Sequence, residues 1–246
     1  MDLIFTKEYE IMDLYVDRFG RLKPSMMLSL VQETAGAHCR QLGFDRENLE
    51  KKRLFWAVLR NKVTVTRLPR ERDKILVKTW PMPTTRVAYP RFVAAYDQEG
   101  RELFSSISLW VLMDMDTRAM VLPGKSGVEV PGVLQGCEPA APASLNPRDL
   151  EQEALHTVSF SELDQNGHVN NTRYLDWVMD LLPTGQHQQL QLKEFTVCYL
   201  AELRDREQLA ISWSMTEEGV LLADGHRKTT NVPAGKERIF TAKLQF

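Results

Sequence analysis

The chain states its pattern twice. A polar turn, a long helix and several strand-like runs fill the first 122 residues, and the same order returns after residue 152. At a constant separation of 147 (164 − 17), Asp17 aligns with Asp164, Gly20 with Gly167, Leu28 with Leu175 and Val31 with Val178. Farther on, a separation of 133 (213 − 80) pairs Trp80 with Trp213 and Leu76 with Leu209. The change of separation, 147 − 133, implies about 14 extra residues between helix and strand in the first half. A duplicated unit must be able to cover its own helix with its own sheet, which narrows the architectures open to it.

Within each copy the periodicities choose the elements. Met27, Leu28, Val31, Ala35 and His38 recur at helical spacing, predicting a helix over 24–42 that opens on Pro24 and stops at Gly43. Strands are expected over 54–66, 74–80, 91–96 and 103–113, the last two joined by the turn Asp97-Gln98-Glu99-Gly100. Residues 123–152, rich in proline and small residues, read as a surface linker. Beyond it come a strand over 156–160, a helix over 171–182 ended by Pro183-Thr184-Gly185, and strands over 195–200, 208–215, 220–223 and 238–246. The fold class is therefore α+β, with one helix per antiparallel sheet rather than alternating βαβ units.

Composition excludes several functions. With 31 basic and 33 acidic residues the net charge is −2, so no nucleic-acid partner is expected. No run approaches ~18 apolar residues, so no membrane span is expected. Residues 1–7 lack the features of a secretory signal, and Cys39, Cys137 and Cys198 suggest neither a disulfide framework nor a metal site. A reduced, cytoplasmic protein without cofactor or metal is the expectation. Pro123-Gly124-Lys125-Ser126 imitates the end of a phosphate loop, but Ala119 stands where that loop needs glycine. There is no Gly-x-Ser-x-Gly elbow and no His-Glu-x-x-His.

Of the five histidines, His38, His156, His187 and His226 have ordinary structural readings. His168 sits in Asp164-Gln165-Asn166-Gly167-His168-Val169-Asn170-Asn171, a tight turn feeding a helix. A carboxylate, an amide and an imidazole at i, i+2 and i+4 can share one side of an extended or turning segment. Backbone N–H groups at the helix start can hold a developing oxyanion. The same letters also suit a plain turn in which Asp164 and Asn166 cap backbone donors. The first copy has Phe19 and Arg21 where the second has Asn166 and His168, so it cannot do the same acid–base work.

Asp164-x-Asn166-x-His168-Val169-Asn170-Asn171, followed by Tyr174 and Trp177, resembles the active-site segment of acyl-ACP thioesterases, a family that includes plant plastid enzymes and bacterial relatives. Gln32-Glu33-Thr34-Ala35 and Trp110-Val111-Leu112 resemble its first domain. The resemblance implies a tandem, or double, hot-dog fold in which each half wraps an antiparallel sheet around one long helix. It implies an N-terminal acyl-binding, catalytically degenerate domain over 1–122, the linker 123–152, and a catalytic C-terminal domain over 153–246. Tyr199-Leu200-Ala201-Glu202 matches the family's Tyr-x-x-Glu, which makes Glu202 the acidic candidate; under the repeat, Pro69 takes its place in the first half. Leu203 stands where plant members carry a cysteine proposed as nucleophile, which puts that route in doubt here.

The implied activity is hydrolysis of fatty acyl-ACP to free acid and carrier protein in fatty acid biosynthesis, with Asp164, Asn166, His168 and Glu202 as the catalytic set. Whether Glu202 or His168 acts as the base stays open. The implied acyl tunnel lies in the first half, where Met26, Met27, Leu30, Val31 and Trp56 are lining candidates, with Asn170 as a further substrate contact; the same methionine stripe is also what an ordinary core presents. The partner implied is acyl carrier protein bearing a fatty acyl-phosphopantetheine, and the assembly a monomer or homodimer. An acyl-CoA thioesterase, a hot-dog dehydratase and a non-catalytic acyl-binding protein are the alternatives.

Overall fold

A computed structural model describes residues 2–228 and 237–246. The chain divides into two compact units, Met1–Pro142 and Ala143–Phe246. Both are α+β, as the periodicities predict.

In the first unit, β1 (Phe5–Glu10), β3 (Lys74–Pro81), β4 (Tyr89–Tyr96), β5 (Glu102–Asp114) and β2 (Leu54–Val65) lie side by side in that order, every pair antiparallel. The short β6 (Met120–Val121) pairs with β5. Helix α1 (Pro24–Leu42) lies against β1, β3 and β4 and buries Met27, Leu28, Leu30, Val31, Ala35 and His38. Proline at the first position begins it, and Gly43, at φ 77°, ends it in the left-handed conformation that a Cβ disfavours. A one-turn helix, α2 (Arg46–Glu50), escapes the helical pattern because it is too short to show one; Asp45 caps it through the Asn48 N–H at 3.2 Å.

The second unit repeats the plan in the order β8 (Glu194–Tyr199), β11 (Arg238–Gln245), β10 (Val220–Lys228), β9 (Gln208–Met215), β7 (Gln152–Thr157), again all antiparallel. Its helix α4 (Arg173–Asp180) packs on β11, with the Tyr174 and Phe240 rings 5.0 Å apart. It is shorter than the expected 171–182. Asn170 and Thr172 hold the approach as a capped turn, and Pro183 heads a separate turn, α5 (Thr184–His187).

Three further expectations change. The strand expected at 156–160 is β7, four residues earlier, and a 3-10 turn occupies Phe160–Glu162. The segment 123–152 is not merely a surface connector: it contains α3 (Pro123–Ser126), and Val128 is buried with Leu49, Leu54, Tyr89 and Leu112. Finally, the second half of the repeat is offset by 134, not 133. Lys74 pairs with Glu10 as Gln208 pairs with Thr157, and Thr79 with Phe5 as Trp213 with Gln152. A slip of one residue moves a strand's side chains to the opposite face, so Trp80 and Trp213 are not equivalent; Thr79 and Trp213 are. The extra stretch in the first half is 13 residues (147 − 134).

Candidate active site

The turn before α4 is built by one carboxylate. Asp164 Oδ1 accepts from the backbone N–H of Asn166 at 2.8 Å and of His168 at 3.2 Å, while Oδ2 accepts from the Asn166 amide at 3.2 Å. The Asp164 N–H donates to the His168 carbonyl at 2.7 Å, closing the loop, and Gly167 supplies the left-handed residue that it needs (φ 75°). The bridges Leu163–Val169 and His168–Arg204, with Val169 N–H donating to the Leu203 carbonyl at 2.9 Å, fix this loop beside the segment that follows β8.

That placement carries the His168 imidazole to Glu202, Nε2 to Oε2, at 3.2 Å. The imidazole is mostly buried and the carboxylate about half exposed, so the pair has one side in the protein and one toward water. Glu202 is steadied through its backbone: its carbonyl accepts from Arg227 Nη2 at 2.7 Å, and Arg227 is held by Glu207 and, at 2.7 Å, by Glu237. These carboxylates keep the Arg227 guanidinium above its ordinary value despite the opposing effect of burial. Arg227 carries no signal in the sequence, where an arginine late in a strand is an ordinary surface charge.

Asp164 and Asn166 form one pair and His168 and Glu202 another, and the two are joined through the His168 N–H. Asn170 caps the approach to the helix. Its Oδ1 accepts from the Thr172 N–H at 3.0 Å and the Thr172 hydroxyl at 2.9 Å. The expected set of free N–H groups is correspondingly reduced: Asn170 N–H goes to the Glu162 carbonyl, and Arg173 N–H to the Asn170 carbonyl, each at 2.9 Å. Among the described residues the Asn171 N–H has no such partner at this helix start. Tyr174, buried next to it with the Tyr199 ring 5.6 Å away, has its phenol pushed far up by burial, so it stays neutral.

The first unit contains the same turn without the pair. Asp17 Oδ1 accepts from Phe19 N–H at 2.8 Å and Arg21 N–H at 3.0 Å, Gly20 has φ 72°, and Asp17 N–H meets the Arg21 carbonyl at 2.8 Å. Arg21 folds back onto Asp17, its Nε donating to Oδ2 at 2.9 Å. Because Leu22 N–H bonds the Pro69 carbonyl as Val169 N–H bonds Leu203, the residue in Glu202's place is Leu68, not Pro69.

The first unit also holds an apolar cavity of about 400 Å³ between α1, α2 and the sheet, walled by Phe44, Trp56, Tyr89 and Trp110. Of the expected lining residues only Trp56 borders it. Met27, Leu30 and Val31 are packed in the core, and Met26 does not border the cavity. Sequence could not separate these outcomes, since a tunnel wall and a core face of a helix share one period. Among the described residues no cluster of three or more metal-ligating side chains occurs, and no helix is long and apolar enough to cross a membrane.

Comparison with known proteins gives the same two halves. Residues 2–122 match the acyl-ACP thioesterase N-terminal domain and residues 146–245 the C-terminal domain. A chloroplastic palmitoyl-acyl carrier protein thioesterase of Gossypium hirsutum is 27% identical over 215 residues, which are 81% of this chain and 52% of that protein. The chain thus spans about half the length of the curated relatives it matches. An acyl-ACP thioesterase structure from Bacteroides thetaiotaomicron superposes with a TM-score of 0.88 at 25% identity, covering 99% of this chain and 97% of that one. A 12:0-ACP thioesterase from Umbellularia californica shares the fold, with a TM-score of 0.82 at 21% identity over 100% and 97% of the two chains. The architecture is the double hot-dog, and the chain belongs to the acyl-ACP thioesterase family.

Proposed function

We propose that this chain hydrolyses fatty acyl thioesters carried by acyl carrier protein, releasing a free fatty acid and the carrier thiol in fatty acid biosynthesis. The observation that carries the proposal is the His168–Glu202 pair at 3.2 Å, on a turn whose first-unit counterpart lacks both groups.

Hydrolysis of a thioester needs an activated water, a stabilised oxyanion and little else, because a thiolate leaves readily. Glu202, with one side toward water, takes the proton of the attacking water. His168 Nε2–H holds that carboxylate in place, and Asp164 holds His168 and Asn166 through the turn. Asn166, exposed at the tip, orients the water. The Asn171 N–H is the backbone donor available to the tetrahedral oxyanion, the part expected of the helix start. The C–S bond then breaks, and the carrier thiolate leaves.

The test is a hydrolysis panel of acyl-ACP and acyl-CoA substrates from short to long chains, read as thiol release. Faster turnover of acyl-ACP supports the proposal. Preference for acyl-CoA would transfer the activity to that carrier, dehydration of β-hydroxyacyl substrates without thiol release would make the site a dehydratase, and binding without turnover would leave an acyl-binding protein.

A further inference from the structure

One wall of the first unit's cavity is chemically out of place. Arg91, on β4, borders this largely apolar space and is only 6% exposed, whereas the other charged residues along it, Arg40, Asp45, Arg46 and Glu47, are exposed or half-exposed. None of its partners is a carboxylate: Nη1 donates to His38 Nδ1 at 3.1 Å and Thr79 Oγ1 at 3.2 Å, and Nη2 to the Cys39 sulfur at 3.5 Å. His38 is held neutral, since burial and the guanidinium beside it both push its pKa down, and its Nε2 lies 3.3 Å from the Asp2 carbonyl. Among the described residues no carboxylate lies within ion-pair distance of Arg91. A buried guanidinium without a carboxylate partner is costly, and arginine does not escape the cost by losing its proton.

A neighbouring donor asks for the same thing. Gln32, on α1 and also bordering the cavity, has a buried amide nitrogen without a hydrogen-bond partner. By register, Arg91, Ser108 and Asn61 stand on one face of adjoining strands; Asn61, fully buried behind the cavity lining, has neither its amide nitrogen nor its amide oxygen partnered. The cavity therefore combines aromatic walls sized for an alkyl chain with a buried cation and at least one unanswered donor.

We infer that this cavity is a binding site for a fatty acid anion, its carboxylate on Arg91 and Gln32 and its chain along Phe44, Trp56, Tyr89 and Trp110. Charge complementarity selects the carboxylate over an uncharged chain end, which would leave Arg91 unanswered. If the proposed hydrolysis holds, that ligand is the reaction's own product, and the site is a means of feedback. The binding claim itself does not depend on turnover.

Trp56 and Trp110 border the cavity and report on it, so the test is a tryptophan-fluorescence titration of the whole protein with dodecanoate, dodecanol and methyl dodecanoate below their micellar concentrations. Dodecanoate is expected to bind tighter than the two uncharged ligands by about tenfold to a hundredfold, the range for hydrogen bonds to a charged group. Arg91→Gln should abolish that preference while leaving dodecanol affinity in place, and His168→Ala/Glu202→Gln should leave it intact. Should Arg91→Gln fail to fold by circular dichroism, Gln32→Leu serves instead and should weaken dodecanoate alone. Equal affinity for acid and alcohol in the unaltered protein overturns the inference, as does a carboxylate preference that survives Arg91→Gln or disappears with His168→Ala/Glu202→Gln.

Discussion

The turns at Asp17–Leu22 and Asp164–Val169 are two solutions to one backbone problem. Each uses an aspartate to bind the N–H groups two and four residues ahead, and each has glycine at positive φ in the fourth position. Each is stitched to the segment preceding a strand, through Pro69 in one case and Leu203 in the other. They differ in what hangs from the frame. Arg21 returns its charge to Asp17 within the first turn itself. His168 turns outward to Glu202, so the second presents an acid–base pair. Conserving the frame explains the shared Asp-x-x-Gly; it does not by itself imply chemistry. The chemistry lies in positions 166, 168 and 202, whose counterparts Phe19, Arg21 and Leu68 cannot supply it.

Substitutions can break this comparison in order of size. His168→Ala and Glu202→Gln should each lower kcat for acyl-ACP hydrolysis on the order of 10²-fold or more, with little change in thermal stability; the check is steady-state kinetics beside a melting curve. The frame comes next. Asp17→Ala and Asp164→Ala should each destabilise the protein by about 1–2 kcal/mol in urea unfolding, because each strands backbone donors. Only Asp164→Ala should also lower the rate, by about tenfold. Equal loss of activity from both would mean that the turns serve stability alone.

The smallest effect concerns the approach to each turn. Ser159 and Glu162 form a capping box in the second unit, with Glu162 also accepting from the Trp177 indole at 2.6 Å and lying 3.0 Å from His156 Nε2. The corresponding turn Asp13–Tyr15 in the first unit has no side-chain cap. Burial pushes the Glu162 carboxyl up, but the Ser159 N–H, the indole and His156 outweigh it and hold its pKa below the ordinary 4.5. A lowered folded pKa gives stability that is complete above the unfolded value and lost as pH falls through the folded one. Glu162→Gln should therefore cost about 1 kcal/mol at neutral pH, with the difference closing below pH 4.5. A difference that persists in stronger acid would contradict the charge-based account.

Much of this was legible in the sequence, for identifiable reasons. Strands β2, β3, β5 and β9 alternate or run rich in β-formers, and α1 has proline and glycine at its two ends, so local chemistry marks their limits. The helical period overruns α4 because the apolar Leu181-Leu182 continues it, while the cap made by Asn170 on Thr172 leaves no mark in that period. The chance identity of two tryptophans hid the repeat offset; only strand register exposes which face each occupies. Within the site, the turn could be read from Asp164 to His168, but Glu202 stands 34 residues away (202 − 168), and only a family pattern linked the two. Arg91 carries no signal in the sequence: it opens the strand expected over 91–96, and only the fold shows that β4 is buried on both faces.

The central claim is that His168 and Glu202 work as one unit, and a double-mutant cycle on acyl-ACP hydrolysis tests it most directly. If they act together, His168→Ala/Glu202→Gln should be slower than the weaker single variant by less than about tenfold, because residues that act as a unit are lost as a unit. Losses that multiply, on the order of 10⁴-fold from two independent 10²-fold steps, would contradict the account, as would wild-type rates in either single variant.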